Sequence, residues 1–343
     1  MRLIHIHLGI KGGAERFFVA LVNGLAARGV EQQALLFPDR VWRDEIEDVC
    51  KIHEMTFSRS HISRFFTNRK IAKIIDEFRA DAIVSWMPQA SRWIPARNDL
   101  LRAARLGDYP EKLDYFENCN LLICNTPDIA RHCADIGWKR DLKVISNFTE
   151  TKPVPALDRK LLDTPEDAFV VLGMGRFVDR KGFDTLIRAV ARLDGAYLWL
   201  LGDGEEEGNL RRIAAETGLS DRLRFGGWVK DPGAHLAACD AFCIPSTHEP
   251  LGNVVLEAWA AERPVVSTTS EGPTWLIEDG VQGLLAPIGD DEALANCLAR
   301  VRGEQGLGAA MVAAGAAKLK AEFSKDVIAE RYIDTLFGSR KAK

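Results

Sequence analysis

Short apolar runs alternate with amphipathic stretches along the whole chain. "RLIHIHL" alternates and is rich in β-formers, which predicts a first strand. The turn "GIKGG" follows, and then Phe17, Phe18, Leu21, Val22 and Leu25 at helical spacing predict a helix closed by Gly29. "EQQALLF", "DAIVSW" (Asp81 to Trp86), "NLLICN" (Asn120 to Asn125) and "KVISNF" (Lys143 to Phe148) predict further strands with helices between them. After the proline-bearing polar link "TETKPVPALDRKLLDTPED" the plan repeats. "AFVVLGMGRF", "AYLWLL", "LRFGGWV", Ala241 to Ile244, "RPVVSTT" and "GLLAPIG" read as strands. "GFDTLIRAVARL", "GNLRRIAAETGL", "PGAHLAAC" and "DEALANCLARV" read as helices. Phe323, Val327, Ile328, Tyr332, Ile333 and Leu336 keep helical spacing near the end, ahead of an unstructured basic tail "SRKAK". Alternating β and α elements predict an α/β protein whose parallel sheets carry helices on both faces. The expected organisation is a first domain over 1–150, a linker over 151–165, a second domain over 166–321, and a C-terminal helix with its tail over 322–343.

Composition supports two domains and narrows the partners. A chain of 343 residues is long for one core. Hydrophobic content of 47% and charged content of 27% are those of a soluble globular protein. A net charge of −4 gives the chain as a whole no nucleic-acid footprint. The charge is uneven: residues 1–150 hold 22 Lys/Arg against 20 Asp/Glu, and the remainder 23 against 29. "MRLIHIHLGIKGG" breaks at glycine too early for a signal peptide, and no apolar run is long enough to span a bilayer. The 7 cysteines are scattered, with no C-x-x-C pair and no zinc pattern. Cys119, Cys124, Cys239 and Cys243 read as small core residues, and a reducing cytoplasmic setting is expected. His5 and His7 share one face of the first strand without a visible third ligand, which favours packing or hydrogen bonding over a metal.

Candidate chemistry centres on Pro245 to Pro273, "PSTHEPLGNVVLEAWAAERPVVSTTSEGP". A buried strand leads into a polar turn and a helix expected to start near Leu251 or Gly252. Glu249 sits on the turn, and Glu257 lies roughly 8 Å beyond that helix start at about 1.5 Å per residue. The first helical N–H groups, around Gly252, Asn253 and Val254, lack intrahelical acceptors and suit an anion. A lone Glu-x7-Glu is ordinarily two solvated glutamates, so the surroundings decide. "GRFVDRKG" adds Arg176 and Lys181, which could neutralise a diphosphate or else be plain surface cations. "LGDGEEEG" adds a Gly202 turn, read as capping or as cleft lining. "GGWVKDP" adds Trp228 and Val229, either a resting place for a base ring or a core tryptophan. Gly12 and Gly13 permit a tight turn with close ligand approach. Each of these strand-to-helix junctions belongs at the carboxyl edge of a parallel sheet.

Taken in order, these motifs resemble the retaining nucleotide-sugar glycosyltransferases of family 4. The resemblance covers nearly the whole chain and is most specific between Phe169 and Pro287. "GGAER" and "NLLICNTPDIARH" followed by "GWKRDLKVISNF" are similar to the family's first-domain patterns. The resemblance implies the GT-B architecture: two facing Rossmann-like domains, the active site between them, and a C-terminal helix crossing back to the first domain. It implies that Arg176 and Lys181 serve the diphosphate, that Glu249 stands near the donor sugar and Glu257 at the ribose, and that Gly13 approaches the donor phosphate. Many relatives carry a first-domain His near the sugar. Here that region reads "RAARLGDYPEKLDYF", with Arg105 or Tyr109 as stand-ins on the acceptor side. The usual Glu-Gly-Phe-Gly turn becomes Glu249-Pro250-Leu251-Gly252.

The expected activity is transfer of a sugar from a nucleoside diphosphate, UDP first and GDP or ADP next, to a glycan or glycolipid acceptor of the cell surface such as lipopolysaccharide. No Asp-x-Asp triplet occurs, so no metal or other cofactor is expected and cations must stabilise the leaving group. The alternatives are a non-catalytic nucleotide-sugar-binding module and a hydrolase or epimerase of the same fold. "SRSHISRFFTNRKIAKII" (Ser58 to Ile75) holds 5 Lys/Arg and no acid, with Phe65, Phe66, Ile71 and Ile74 as its apolar component. It reads as an amphipathic helix that either is simply solvated or rests on an anionic membrane, placing the protein at the inner face of the cytoplasmic membrane.

Overall fold

The computed structural model describes residues 1–10, 12–58 and 60–341, with the side chains of 61 and 339–341 outside the description. The chain divides into two compact units, Met1–Phe148 with Ser324–Lys343, and Thr149–Phe323.

The first unit is built on seven strands: β1 Arg2–His7, β2 Glu31–Leu36, β3 Lys51–Glu54, β4 Ala82–Ser85, β5 Leu101–Leu106, β6 Leu121–Cys124 and β7 Asp141–Val144. All pair in parallel in the order β3-β2-β1-β4-β5-β6-β7. The intervening helices are α1 Gly13–Ala26, α2 His61–Phe78, the single turn α3 Pro88–Ser91, and α4 Pro127–Asp135. β4 and β6 are buried at every position, as strands covered on both faces must be. Strand order reverses between β1 and β4, which opens a crevice at their carboxyl ends.

The second unit repeats the design with β8 Val170–Met174, β9 Tyr197–Leu201, β10 Leu223–Gly227, β11 Ala241–Ile244, β12 Val265–Thr268 and β13 Leu284–Ala286. These too are parallel, in the order β10-β9-β8-β11-β12-β13, with the reversal between β8 and β11. Its helices are α5 Phe183–Ala191, α6 Glu207–Glu216, α7 Gly233–Ala238, α8 Asn253–Ala260, α9 Glu271–Leu276, α10 Asp291–Gly303 and α11 Leu307–Glu322. α12, Lys325–Lys341, then returns to the first unit.

α12 lies on α1. Ile328, Ala329, Tyr332, Ile333, Leu336 and Phe337 are all buried in the first unit's core beside Phe17, Phe18, Leu21 and Leu25. Each large apolar side chain so buried stabilises the unit by about 1.5–3 kcal/mol. At the rim, Arg28 pairs with Asp326 and with Glu330.

Several expectations shift. β7 starts at Asp141, and Ile145 to Phe148 continue as a buried loop rather than a strand. Phe323 does not belong to the returning helix; it closes α11 and meets Trp275 edge-on at 5.7 Å in the second unit. The tail expected to be unstructured is helical as far as Lys341, while Ala342 and Lys343 lie outside the described residues. β3, β5, α9 and α11 carry no expectation from the sequence. β3 is a polar edge strand, and two arginines break the alternation of β5. α11 is alanine-rich, so propensity rather than an apolar stripe makes it helical.

Candidate active site

The polar features of the second unit gather at the carboxyl edge of its sheet, around the β8/β11 reversal. After β8 the chain makes a 3-10 turn over Asp179–Lys181 and enters α5 through Gly182. Gly182 has φ +62°, and a Cβ there would stand 2.1 Å from the carbonyl oxygen of Pro245, so only glycine lets this turn reach the loop after β11. The Thr247 N–H donates to the Arg180 carbonyl at 2.9 Å and ties the two loops. Lys181 Nζ thereby meets Glu249 Oε2 at 2.5 Å, both side chains being largely buried. Ser246 Oγ lies 3.3 Å from the same carboxylate oxygen.

The loop carrying Glu249 is fixed from below. Glu271, the first residue of α9, accepts the Glu249 N–H at 3.1 Å and lies 2.9 Å from His248 Nδ1. The Gly272 N–H returns a bond to the Glu249 carbonyl at 2.8 Å. Burial opposes ionisation of Glu271, but hydrogen bonds from its own N–H, His248 and the Glu249 N–H outweigh it, so the carboxyl sits below its ordinary range. Pro250 and Leu251 are buried. Gly252 then caps α8 with φ 78°, a left-handed conformation that glycine adopts without strain.

α8 therefore begins at Asn253, one or two residues later than the sequence suggests. Glu257 falls on its second turn, about 6 Å along the axis rather than 8 Å, and is 9% exposed. Asn253 and Val254 form the open first turn and are half-buried. Gly202 follows β9; its N–H donates to Gly227 at 2.7 Å, which links the β9 and β10 ends.

Arg176 is exposed just after β8 and joins no ion pair among the described residues. Trp228 is 56% exposed, which excludes the core-tryptophan alternative, and Val229 beside it is half-buried. Both follow β10, two strands from β8 and so about 10 Å to one side. The structure thus brings Lys181, Glu249, Gly252 and the start of α8 into one constellation, with Gly202 and Arg176 at adjoining strand ends. Ser246, His248 and Glu271 complete it. Glu271 lies within the Pro245–Pro273 stretch, but nothing in its spacing marks it as the anchor of the Glu249 loop.

Gly12 and Gly13 stand in the first unit, as the cap and first residue of α1. Arg105 is 5% exposed at the end of β5, whereas Tyr109 packs edge-on against His132 at 5.4 Å. His5 and His7 are buried and neutral. The Trp86 indole N–H donates to His5 Nδ1 at 3.1 Å, and His5 Nε2 faces Gln32 at 3.0 Å. Burial lowers His5 to about 4 and His7 to about 3. Among the described residues no group of acids, histidines and cysteines is arranged to hold a metal ion.

A profile of the family Glycosyl transferases group 1 matches residues 168–303. Full-length relatives decide membership. The chain is 49% identical over 336 residues to the lipopolysaccharide core biosynthesis glycosyltransferase LpsE of Rhizobium meliloti (strain 1021), covering 98% of this chain and 99% of LpsE. It is a group 1 glycosyltransferase. LpsD of the same organism, also a lipopolysaccharide core biosynthesis glycosyltransferase, is 47% identical to this group 1 enzyme over 343 residues, covering 100% of each. Among solved structures, Anabaena HepE in complex with UDP aligns with a TM-score of 0.80 at 23% identity, covering 98% of this chain and 100% of HepE. That likeness shows the glycosyltransferase fold with two Rossmann-like units, the GT-B architecture.

Proposed function

We propose that this group 1 glycosyltransferase transfers a sugar from a nucleoside diphosphate to the growing lipopolysaccharide core, with retention at the anomeric carbon as in family 4. Support for the acceptor class comes from LpsE and LpsD, which are alike over the whole chain. HepE, alike in fold, is a complex with UDP, so uridine nucleotides are the first donors to try. The observation that carries the reaction is the contact of Lys181 with Glu249 beside the open first turn of α8, at the sheet's reversal point.

An ammonium has three donors, so Lys181 can keep one on Glu249 and turn the others to a phosphate. In this reading Lys181, Arg176 and the N–H groups of Asn253 and Val254 take up the negative charge on the departing diphosphate as the anomeric C–O bond breaks. The acceptor hydroxyl attacks from the same face, and its proton passes to the leaving diphosphate oxygen. Glu249 holds donor-sugar hydroxyls and Glu257 the ribose pair. Trp228, Val229, Leu251 and Gly202 line the nucleotide's path. Gly12 and Gly13 offer backbone N–H groups to the donor phosphate, and Arg105 and Tyr109 serve the acceptor. The charge-stabilising work is assigned to these groups, so turnover needs no divalent metal.

A second element bears on location. Ile62, Phe65 and Phe66 on α2 are 75%, 56% and 65% exposed. Arg64, Arg69 and Lys70 surround them, exposed and in no ion pair among the described residues. Ile71 and Ile74, expected on that apolar face, are instead core residues, and Arg59 of the expected stretch lies outside the described residues. Among the described residues no helix is long and apolar enough to cross a membrane. We place the enzyme on the inner face of the cytoplasmic membrane, held by this face of α2.

Thermal-shift measurements with nucleoside diphosphates and their sugars identify the donor, since ligand binding raises the melting point by mass action. Transfer to core glycan is then followed in EDTA, with the product anomer read by NMR. Donor binding without turnover would favour a binding module, and free sugar released without acceptor would favour a hydrolase. An inverted anomer would remove retention, and loss of turnover in EDTA would remove metal independence.

A further inference from the structure

The end of β12 and the start of α9 hold the loop that carries Glu249 at successive points. Ser267 Oγ donates to the Ile244 carbonyl at 3.1 Å, and Thr268 Oγ1 donates to the Ser246 carbonyl at 2.5 Å. Both hydroxyl residues are wholly buried. Further on, Glu271 Oε2 accepts the Glu249 N–H while the Gly272 N–H donates to the Glu249 carbonyl. Both backbone groups of Glu249 are therefore held from the first two residues of α9. Gly272 permits this approach, because a Cβ there would stand 2.2 Å from the carbonyl carbon of Leu251.

The Glu249 side chain is held asymmetrically. Lys181 Nζ and Ser246 Oγ both lie on Oε2. Oε1 has no hydrogen-bond partner among the described residues, and it is not one of their enclosed polar atoms. One carboxylate oxygen is thus anchored and the other presented, at a position that the backbone of Glu249 decides. Glu271 is suited to fix that backbone. Its carboxyl stays below its ordinary range, so near neutral pH it only accepts hydrogen bonds. Its second oxygen, Oε1, meets His248 Nδ1 at 2.9 Å. An ionised carboxylate donates nothing, so a neutral His248 must carry its proton on Nδ1. The neighbours His248 and Glu249 therefore share one carboxylate, one through its ring and the other through its backbone.

We propose that Glu271, with His248 fixing the plane of its carboxylate, is a positioning residue that aims Glu249 Oε1 at a hydroxyl of the donor sugar. This role rests on reading Glu249 as the donor-sugar ligand. Neither Glu271 nor His248 need touch the donor, since both act through the Glu249 backbone. Supporting residues of this kind hold a binding group to within a fraction of an ångström of its working position. Recognition of the sugar is thereby separated from recognition of the nucleotide, whose base and ribose are assigned to Trp228, Val229 and Glu257. Removing Glu271 should cost the sugar's share of donor affinity and spare the nucleotide's share.

The test is calorimetric binding without acceptor, using whichever of UDP-glucose and GDP-mannose raises the wild-type melting temperature more. Glu271→Ala should raise the Kd of that nucleotide sugar about tenfold, the usual worth of a hydrogen bond to a charged group, while the Kd of the matching UDP or GDP stays within twofold. Glu271→Gln keeps an acceptor for the Glu249 N–H and should recover most of the loss. The deciding measurement uses a Glu249→Ala background. A residue that acts only through Glu249 costs nothing more once that side chain is gone, so Glu271→Ala should there change the Kd less than twofold. The same loss in both backgrounds, a parallel rise in the UDP or GDP Kd, or no loss at all would overturn the positioning role. A second arm needs no nucleotide. Nitrogen-15 NMR of histidine-labelled enzyme at pH 8 should show His248 protonated on Nδ1, its signal assigned by its absence in His248→Ala. In Glu271→Gln the proton should move to Nε2, because the amide oxygen stays on the Glu249 N–H and its nitrogen donates to Nδ1. If that exchange is seen while neither nucleotide sugar binds, the Glu271 bracket stands and the transferase reading falls. A wild-type His248 protonated on Nε2 would overturn the bracket itself.

Discussion

Lys181 and Arg176 follow the same strand but differ in surroundings: one is clasped by Glu249, the other is exposed and unpaired among the described residues. Both are assigned to the departing diphosphate, so Arg176→Ala and Lys181→Ala should each lower kcat by about 10²–10³, the usual loss for one oxyanion donor, with little change in acceptor KM. Steady-state kinetics at saturating acceptor check this, and an unchanged kcat in either variant would end its assignment. Lys181→Ala also leaves Glu249 without its cation, so its donor KM should change more than that of Arg176→Ala. Sequence reading found the residue types here but not their partners. Lys181 and Glu249 are 68 positions apart, and nothing local says that they touch. Arg105 was named from the sequence, but its burial was not legible, because a charged residue is ordinarily expected at the surface.

Elements were legible where periodicity was strong. β1, β8, β11 and α5 are rich in apolar residues and fall where the pattern puts them. β5 and α11 escaped because their stability comes from neighbours and from alanine content, not from an apolar stripe. β1 carries its own pH dependence. His5 and His7 are held neutral, at about 4 and about 3, whereas unfolded histidine titrates near 6.5. Between those values the unfolded chain binds more protons, so stability falls as pH drops below about 6.5 and levels off once both folded values are passed. Urea melts at pH 7 and pH 5 should show the first unit weakened at pH 5, and His5→Gln should shrink the difference. At the α1/α12 contact, Ile328→Ala should cost about 2–5 kcal/mol in urea unfolding, because the wholly buried side chain leaves a cavity. A loss below half a kcal/mol would show that α12 is not part of the core.

On the scale of the molecule, the sequence conveyed two doubly wound units because the βα alternation runs twice through the chain, and strand order supplied what it could not. Strand order reverses once in each sheet, and in the second unit the loops that carry Lys181 and Glu249 sit at that reversal. Uneven charge belongs to the same scale. The basic excess of the first half is displayed in part by α2, where Arg64, Arg69 and Lys70 flank Ile62, Phe65 and Phe66. Phe65→Ser with Phe66→Ser should reduce pelleting with phosphatidylglycerol vesicles severalfold and leave turnover on a water-soluble acceptor fragment intact. Equal pelleting of wild type with neutral and anionic vesicles would remove the electrostatic part of the membrane reading.

The first unit is discontinuous, its last helix arriving only after the 175 residues of Thr149–Phe323. During synthesis at about 5–20 residues per second, the α1 groove that α12 covers must wait on the order of ten seconds or more with its leucines and phenylalanines bare on the nascent polypeptide. The inserted unit is contiguous and can fold as it leaves the ribosome. A stop codon placed after Phe323 would therefore spoil the front half of the protein while sparing the middle, and the ribosome-bound chain offers chaperones a defined target until α12 emerges.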